Sequence, residues 1–286
     1  MRIGIGLPST IPDIPGRRIV EWAQLAEQRG FSSLATIDRI VYPNHDSLTT
    51  LAAAAGATDR IGLATNILLG PVYPPVLLAK ATASLDQLSG GRLTLGLAPG
   101  GRPDDFAVTG RDFHTRGRDF DHTLTVLHRA WRGEPVEGGD RPVGPHAVHD
   151  AVPVLIGGTS DQALRRVPKW GAGWTAGGAG PDAAAPFVEK VRSAWRDAGR
   201  EGEPRLAALA YFSLGDDATK DSRDYLLDYY AIVGEYAETI ATGALRTEAA
   251  IHETVRAFAD LGFSELYLDP TTSALDQVDR LADVVL

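Results

Sequence analysis

Apolar positions along the chain switch between two periods. Ile3, Ile5 and Leu7 alternate with Gly4 and Gly6, a period of two that predicts a strand over Arg2–Leu7. Ile19, Trp22, Ala23 and Ala26 then fall on one helical face, which predicts a helix over Arg17–Arg29 stopped by Gly30. The same exchange repeats to the end. Further strands are expected at Ser33–Ile37, Ile61–Thr65, Leu93–Leu97, Val154–Ile156, Gly173–Ala176, Leu206–Leu214 and Glu265–Asp269. Helices are expected at Ser47–Ala57, Pro75–Leu88, Arg116–Trp131, Asp161–Trp170, Ala183–Ala198 and Leu275–Val285. A long helical region, Ala218–Leu261, is broken near Gly234 and Gly243, and the Gly-, Pro- and His-rich segment Arg132–Val152 reads as irregular. Strands each followed by a helix predict an α/β fold: a single closed (β/α)8 TIM barrel over residues 1–286, with insertions after strands four and seven. An open doubly wound sheet is the competing architecture.

A parallel barrel carries its chemistry on the loops that follow the strands, so the residues just past each strand are the candidates. Gly157-Gly158-Thr159-Ser160 lies between a strand and a helix. Glycines let backbone approach an anion, and the helix start offers free N–H groups and a positive dipole end. An ordinary turn capped by Ser160 is the alternative reading. Gly100-Gly101-Arg102 can bring a cation to a phosphate or a ring, or form a tight turn with a surface Arg. Asn66-Ile67 can bend backbone beneath a flat ring, or simply end a strand. Asp38-Arg39 reads as a structural ion pair, with an active-site role as the alternative. His45 and His114 follow strands two and four and are acid–base candidates if they reach the mouth, surface histidines if not. Asp104-Asp105 reads as dipole compensation in a first helical turn. Tyr225, Tyr229, Tyr230 and Tyr236 are either packing or a lid over an apolar substrate.

Composition narrows the class. A net charge of −9 with no basic stripe argues against nucleic acid or anionic membranes as partners. The chain has no cysteine, which removes disulfides, thiolate nucleophiles and zinc–sulfur sites. No metal site is expected: His146 and His149 have a usable spacing but no supporting carboxylates. No G-x-S-x-G elbow is present. The first strand starts at once, with no secretory core before it and no apolar run long enough to span a bilayer, so a cytoplasmic location is expected.

The stretch LDQLSGGRLTLGLAPGG, with RIGIGLP, AEQRGFSSLATIDR, VPVLIGGTS and LGFSELYLDP, resembles the luciferase-like flavin monooxygenase family over nearly the whole chain. The resemblance implies a barrel that binds FMN or, in one branch, the deazaflavin coenzyme F420. It implies a ring lying across the mouth and a phosphate near Gly157, Gly158, Thr159 and Ser160 with Thr175 beside them. Asn66-Ile67 would be the bulge, often a non-proline cis peptide, beneath the ring, and Gly100 a point of close approach. Many members carry Asp-His or Glu-His where this chain has Asp38-Arg39, and an Arg where it has Pro99. The expected activity is an FMN-dependent monooxygenase using reduced flavin and O2 on a small organic substrate, served by a separate flavin reductase. The alternatives are F420-dependent hydride transfer and a flavin-binding subunit without turnover. A homodimer through the early helices is expected.

Overall fold

The computed structural model describes residues 1–136 and 138–286; of the irregular segment 132–152, position 137 lies outside the described residues. Eight parallel strands close in sequence order: β1 (Arg2–Gly6), β2 (Ser33–Thr36), β3 (Gly62–Leu69), β4 (Leu93–Ala98), β5 (Val154–Gly157), β6 (Gly173–Thr175), β7 (Arg205–Phe212) and β8 (Glu265–Pro270), with β8 pairing back onto β1. This is a TIM barrel, and the open sheet is excluded. Helices follow the strands: α1 (Gly16–Arg29), α2 (Ser47–Ala57), α3 (Pro75–Ser89), α4 (Pro103–Val108), α5 (Arg116–Trp131), α6 (Asp161–Trp170), α7 (Pro181–Asp197), α8 (Ala218–Tyr229), α9 (Tyr236–Thr242), α10 (Glu248–Asp260) and α11 (Asp276–Val285).

Local chemistry sets the helix ends. The side chains of Asp46, Ser160 and Thr247 cap α2, α6 and α10 by accepting the N–H of Thr49 (2.7 Å), Ala163 (3.3 Å) and Ala250 (3.2 Å). Gly30 and Gly90 close α1 and α3 in the left-handed conformation.

Arg92, in the most recognisable sequence block, is architectural. Its guanidinium donates to the carbonyls of Ser89 (2.7 Å), Ile61 (2.7 Å), Thr58 (2.9 Å) and Ala55 (3.1 Å) and to the Thr58 hydroxyl (3.0 Å). It thereby ties the free carbonyl end of α2 to the start of β3. Asp86, buried in α3, accepts the Val148 N–H at 2.7 Å. Both brace the lower end of the barrel, away from the mouth. That end is closed by buried Glu265, held by Ser33 (2.7 Å), Ser32 (2.8 Å) and Arg2 (2.9 Å).

Inside, one layer consists of Ala35, Ala64, Leu155, Ala207 and Tyr267. Strand alternation puts the next inward layer two residues on: Ile37, Asn66, Gly157, Leu209 and Asp269. That layer is where the mouth begins.

Candidate active site

Four of those five positions, Ile37, Asn66, Gly157 and Leu209, line a cavity of about 420 Å³ in the mouth. Ile67, Gly158, Thr159 and Thr175 also line it, as do Tyr211, Tyr230 and Tyr236.

β3 shapes the floor. Its register against β4 shifts between Thr65 and Leu68, and the Asn66–Ile67 peptide within that bulge is cis. The sequence pattern ends β3 at Thr65; the strand runs four residues further because Leu68 and Leu69 resume pairing with Leu97 and Ala98. Opposite the bulge Gly96 has no room for a side chain, since a Cβ would overlap the Thr65 carbonyl. Asn66 reaches across the barrel, and its Oδ1 accepts the Thr175 hydroxyl at 2.6 Å. Its Nδ2 is buried without a partner among the described residues, a donor that only a ligand or water can satisfy.

The loop Gly157–Ser160 forms another wall. Gly158 has φ +100°, a conformation open to glycine at little cost. A Cβ on Gly157 would stand 3.1 Å from Ala98 Cβ and 3.2 Å from Ile67 Cγ2, so a side chain there would press on both and fill the cradle. Trp174 Nε1 donates to the Gly158 carbonyl at 2.9 Å and steadies the loop. Ser160 is committed to its cap on α6, while Thr159 is exposed at the rim. Among the described residues no Lys or Arg lines the cavity. An anion there would be met by backbone N–H groups and hydroxyls at the start of α6.

Asp38 and Arg39 do not pair, contrary to the sequence reading, because consecutive side chains at a strand end diverge. Asp38 is buried behind the bulge. It accepts the Leu69 N–H (3.0 Å) and the hydroxyls of Ser47 and Tyr73 (3.2 Å each), while its backbone N–H donates to the Ile67 carbonyl (3.2 Å). Burial pushes its carboxyl up to about 6, against the pull of those hydrogen bonds. Arg39 turns to α4, 3.0 Å from Asp104 and 3.6 Å from Asp105, whose Oδ1 also accepts the N–H groups of Ile40 and Val41. Asp104 and Asp105 thus do more than compensate a dipole: they fix the loop after β2.

The remaining candidates lie away from the cavity wall. Gly100, at φ +81°, faces Phe106 and Leu69. Arg102 donates to the Tyr229 carbonyl at 3.0 Å and stacks over Tyr229 and Tyr230. His45 bonds the Ile14 carbonyl at 3.0 Å, and His114 is exposed beside Phe113.

Two features escape the sequence reading. Tyr211 continues the inward series Ala207, Leu209 on β7, and its hydroxyl lies 2.7 Å from that of Tyr230. Asp269, the fifth position of the floor layer, is buried against Gly6, and neither of its oxygens has a partner among the described residues. Burial alone pushes its carboxyl well above the ordinary range and so favours the neutral acid. Only the strand alternation could have found either.

The sequence profile of the family described as luciferase-like monooxygenase matches residues 1–265. An uncharacterised protein of Mycobacterium tuberculosis is 28% identical over 231 residues, 71% of this chain and 80% of that protein. Two solved structures share the fold. An F420-dependent secondary alcohol dehydrogenase, in complex with an F420–acetone adduct, aligns with TM-score 0.81 and 18% identity over 99% of this chain and 98% of its own. The oxygenating constituent of 3,6-diketocamphane monooxygenase from Pseudomonas putida, in complex with FMN, aligns with TM-score 0.74 and 17% identity over 100% and 98%. The chain belongs to the luciferase-like monooxygenase family. Among the described residues no helix is long and apolar enough to cross a membrane, and no group of three or more His, Asp or Glu is placed to hold a metal ion.

Proposed function

We propose that this luciferase-like family member is an FMN-dependent monooxygenase that takes reduced flavin and a small organic substrate in the barrel mouth. The observation that carries the reading is the floor: a buried Asn66 Nδ2 without a partner among the described residues, beside a glycine cradle at Gly157 that any side chain would fill. A flat heteroaromatic ring with acceptor atoms at its edge suits both features. Asn66 and Ile67 would lie beneath the ring, and Gly158, Thr159 and the backbone N–H of Ser160 would receive the phosphate, with Thr175 holding the Asn66 amide in orientation. When bound, reduced FMN would supply the activation of O2 and the transfer of one oxygen atom. The chain's part is positioning and water exclusion. Ile37, Leu209 and Ile240 make the wall apolar, and Asp38 braces the bulge through Leu69 and Ile67.

A second reading is hydride transfer with F420, supported by the likeness to the alcohol dehydrogenase. The test is direct titration of the purified protein with oxidised FMN, reduced FMN and F420, followed by fluorescence. Preference for reduced FMN upholds the monooxygenase, preference for F420 moves the chemistry to hydride transfer, and binding of none refutes both. We further propose a homodimer and a separate reductase partner. A light-scattering mass equal to one chain refutes the first, and unassisted turnover with NADH or NADPH refutes the second.

A further inference from the structure

We propose that the Tyr211–Tyr230 hydroxyl pair is the substrate-recognition element, which donates one hydrogen bond to the oxygen of an apolar ketone or secondary alcohol. The inference rests on the cavity being the oxidoreductase site.

The argument is a count of protons. Each phenol carries one O–H donor and can accept. The two hydroxyls are 2.7 Å apart, so one proton is consumed between them and the other stays on the hydroxyl that accepts. Both residues line the cavity. The spare proton has no sink behind it, because the neighbouring Asp269 carboxyl makes no hydrogen bond among the described residues. Two other ring hydroxyls nearby are taken, Tyr225 by Thr10 (2.7 Å) and Tyr42 by Asp228 (2.6 Å). Accepting a hydrogen bond polarises the hydroxyl that retains its proton and makes it a better donor.

Both phenols stay protonated at neutral pH. Burial pushes Tyr230 up to about 12, and burial pushes Tyr211 well above the ordinary value. The wall around them is otherwise apolar, with Leu209 and Ile240 flanking the pair. The cavity's other buried polar side chains, Asn66 and Thr175, are bonded to each other at the floor through Asn66 Oδ1, and the free Asn66 Nδ2 faces the cofactor in the reading above. With Asn66 Nδ2 and Thr159 given to the cofactor, this pair is the buried donor left in an otherwise apolar wall, and it selects an apolar body that carries an acceptor oxygen: a site built to bond an oxygen rejects the analogue that lacks it.

The test compares 2-adamantanone with 2-methyleneadamantane, which has the same shape with =CH2 in place of =O. Binding to the full chain is measured by calorimetry. The unsubstituted protein should favour the ketone by roughly three- to tenfold, the range expected of one hydrogen bond. The double variant Tyr211→Phe/Tyr230→Phe should bind both equally. Each single variant keeps one O–H and should retain part of the preference. Equal affinity in the unsubstituted protein, no binding of the ketone, or a preference that survives the double variant would each overturn the proposal. Circular dichroism confirms that the variants are folded. The cofactor titration reads the functional proposal separately: a protein that binds no flavin yet discriminates the ketone through these tyrosines retains the recognition element and loses the monooxygenase.

Discussion

Replacing Asp38 by asparagine tests the electrostatics behind the floor. The Asp38 carboxyl is withdrawn from water, and its acceptor bonds from Leu69, Ser47 and Tyr73 do not fully compensate, so it rises from 3.8 to about 6. The sign follows from proton counting. Between about pH 4 and about pH 6 the folded protein holds this proton and the unfolded chain has lost it, so stability falls as pH rises. Each pH unit is worth about 1.4 kcal/mol for one proton. The carboxyl therefore withdraws about 3 kcal/mol of stability across that window, fully present as stability below it and lost above it. The Asp38→Asn side chain has no proton to lose. The variant carries a constant cost of about 1–2 kcal/mol for the acceptor it lacks. Against that constant, its stability relative to the unsubstituted protein should climb by about 3 kcal/mol between about pH 4 and about pH 7. Urea unfolding of both proteins through this range measures the gap directly. A gap that stays flat, or closes in the other direction, refutes the reasoning and means that the hydrogen bonds outweigh burial.

Asp269→Asn should gain stability over the unsubstituted protein as pH rises above about 4, by about 1.4 kcal/mol per pH unit until the folded carboxyl ionises; parallel pH–stability curves would sink this. Gly158→Ala forces an L side chain to φ +100° and should cost about 1–2 kcal/mol on urea unfolding. It should also weaken cofactor binding, and unchanged affinity in the folded variant would remove the loop from the site. Arg92→Ala leaves several buried carbonyls without donors and should cost at least about 3 kcal/mol while sparing cofactor affinity, because it lies at the far end of the barrel; a cost under about 1 kcal/mol would contradict the bracing role.

The sequence by itself determined the barrel. Period-two strands alternate with amphipathic helices, and this is local information: each helix face and each capping residue, such as Asp46 or Ser160, sits within a few positions of what it acts on. The loops around the candidate site were legible for the same reason, since any residue after a strand must lie at the mouth, and Asn66, Gly157 and Gly158 do line the cavity there, whereas Thr175 entered only through the family resemblance. The block LDQLSGGR marked the family, but its Arg92 holds α2 to β3 rather than facing a ligand. What only the tertiary structure decided was partnership across the barrel. Asp38 and Arg39 are neighbours in sequence yet bond α2, the bulge and Tyr73 in one case and α4 in the other. Asn66 finds Thr175 across the barrel, from β3 to β6, and Tyr211 finds Tyr230. Asp269 reads as an ordinary strand residue until burial removes its partners among the described residues. Hydrogen bonds and desolvation act over a few ångströms, and barrel closure, not sequence spacing, sets which groups come that close.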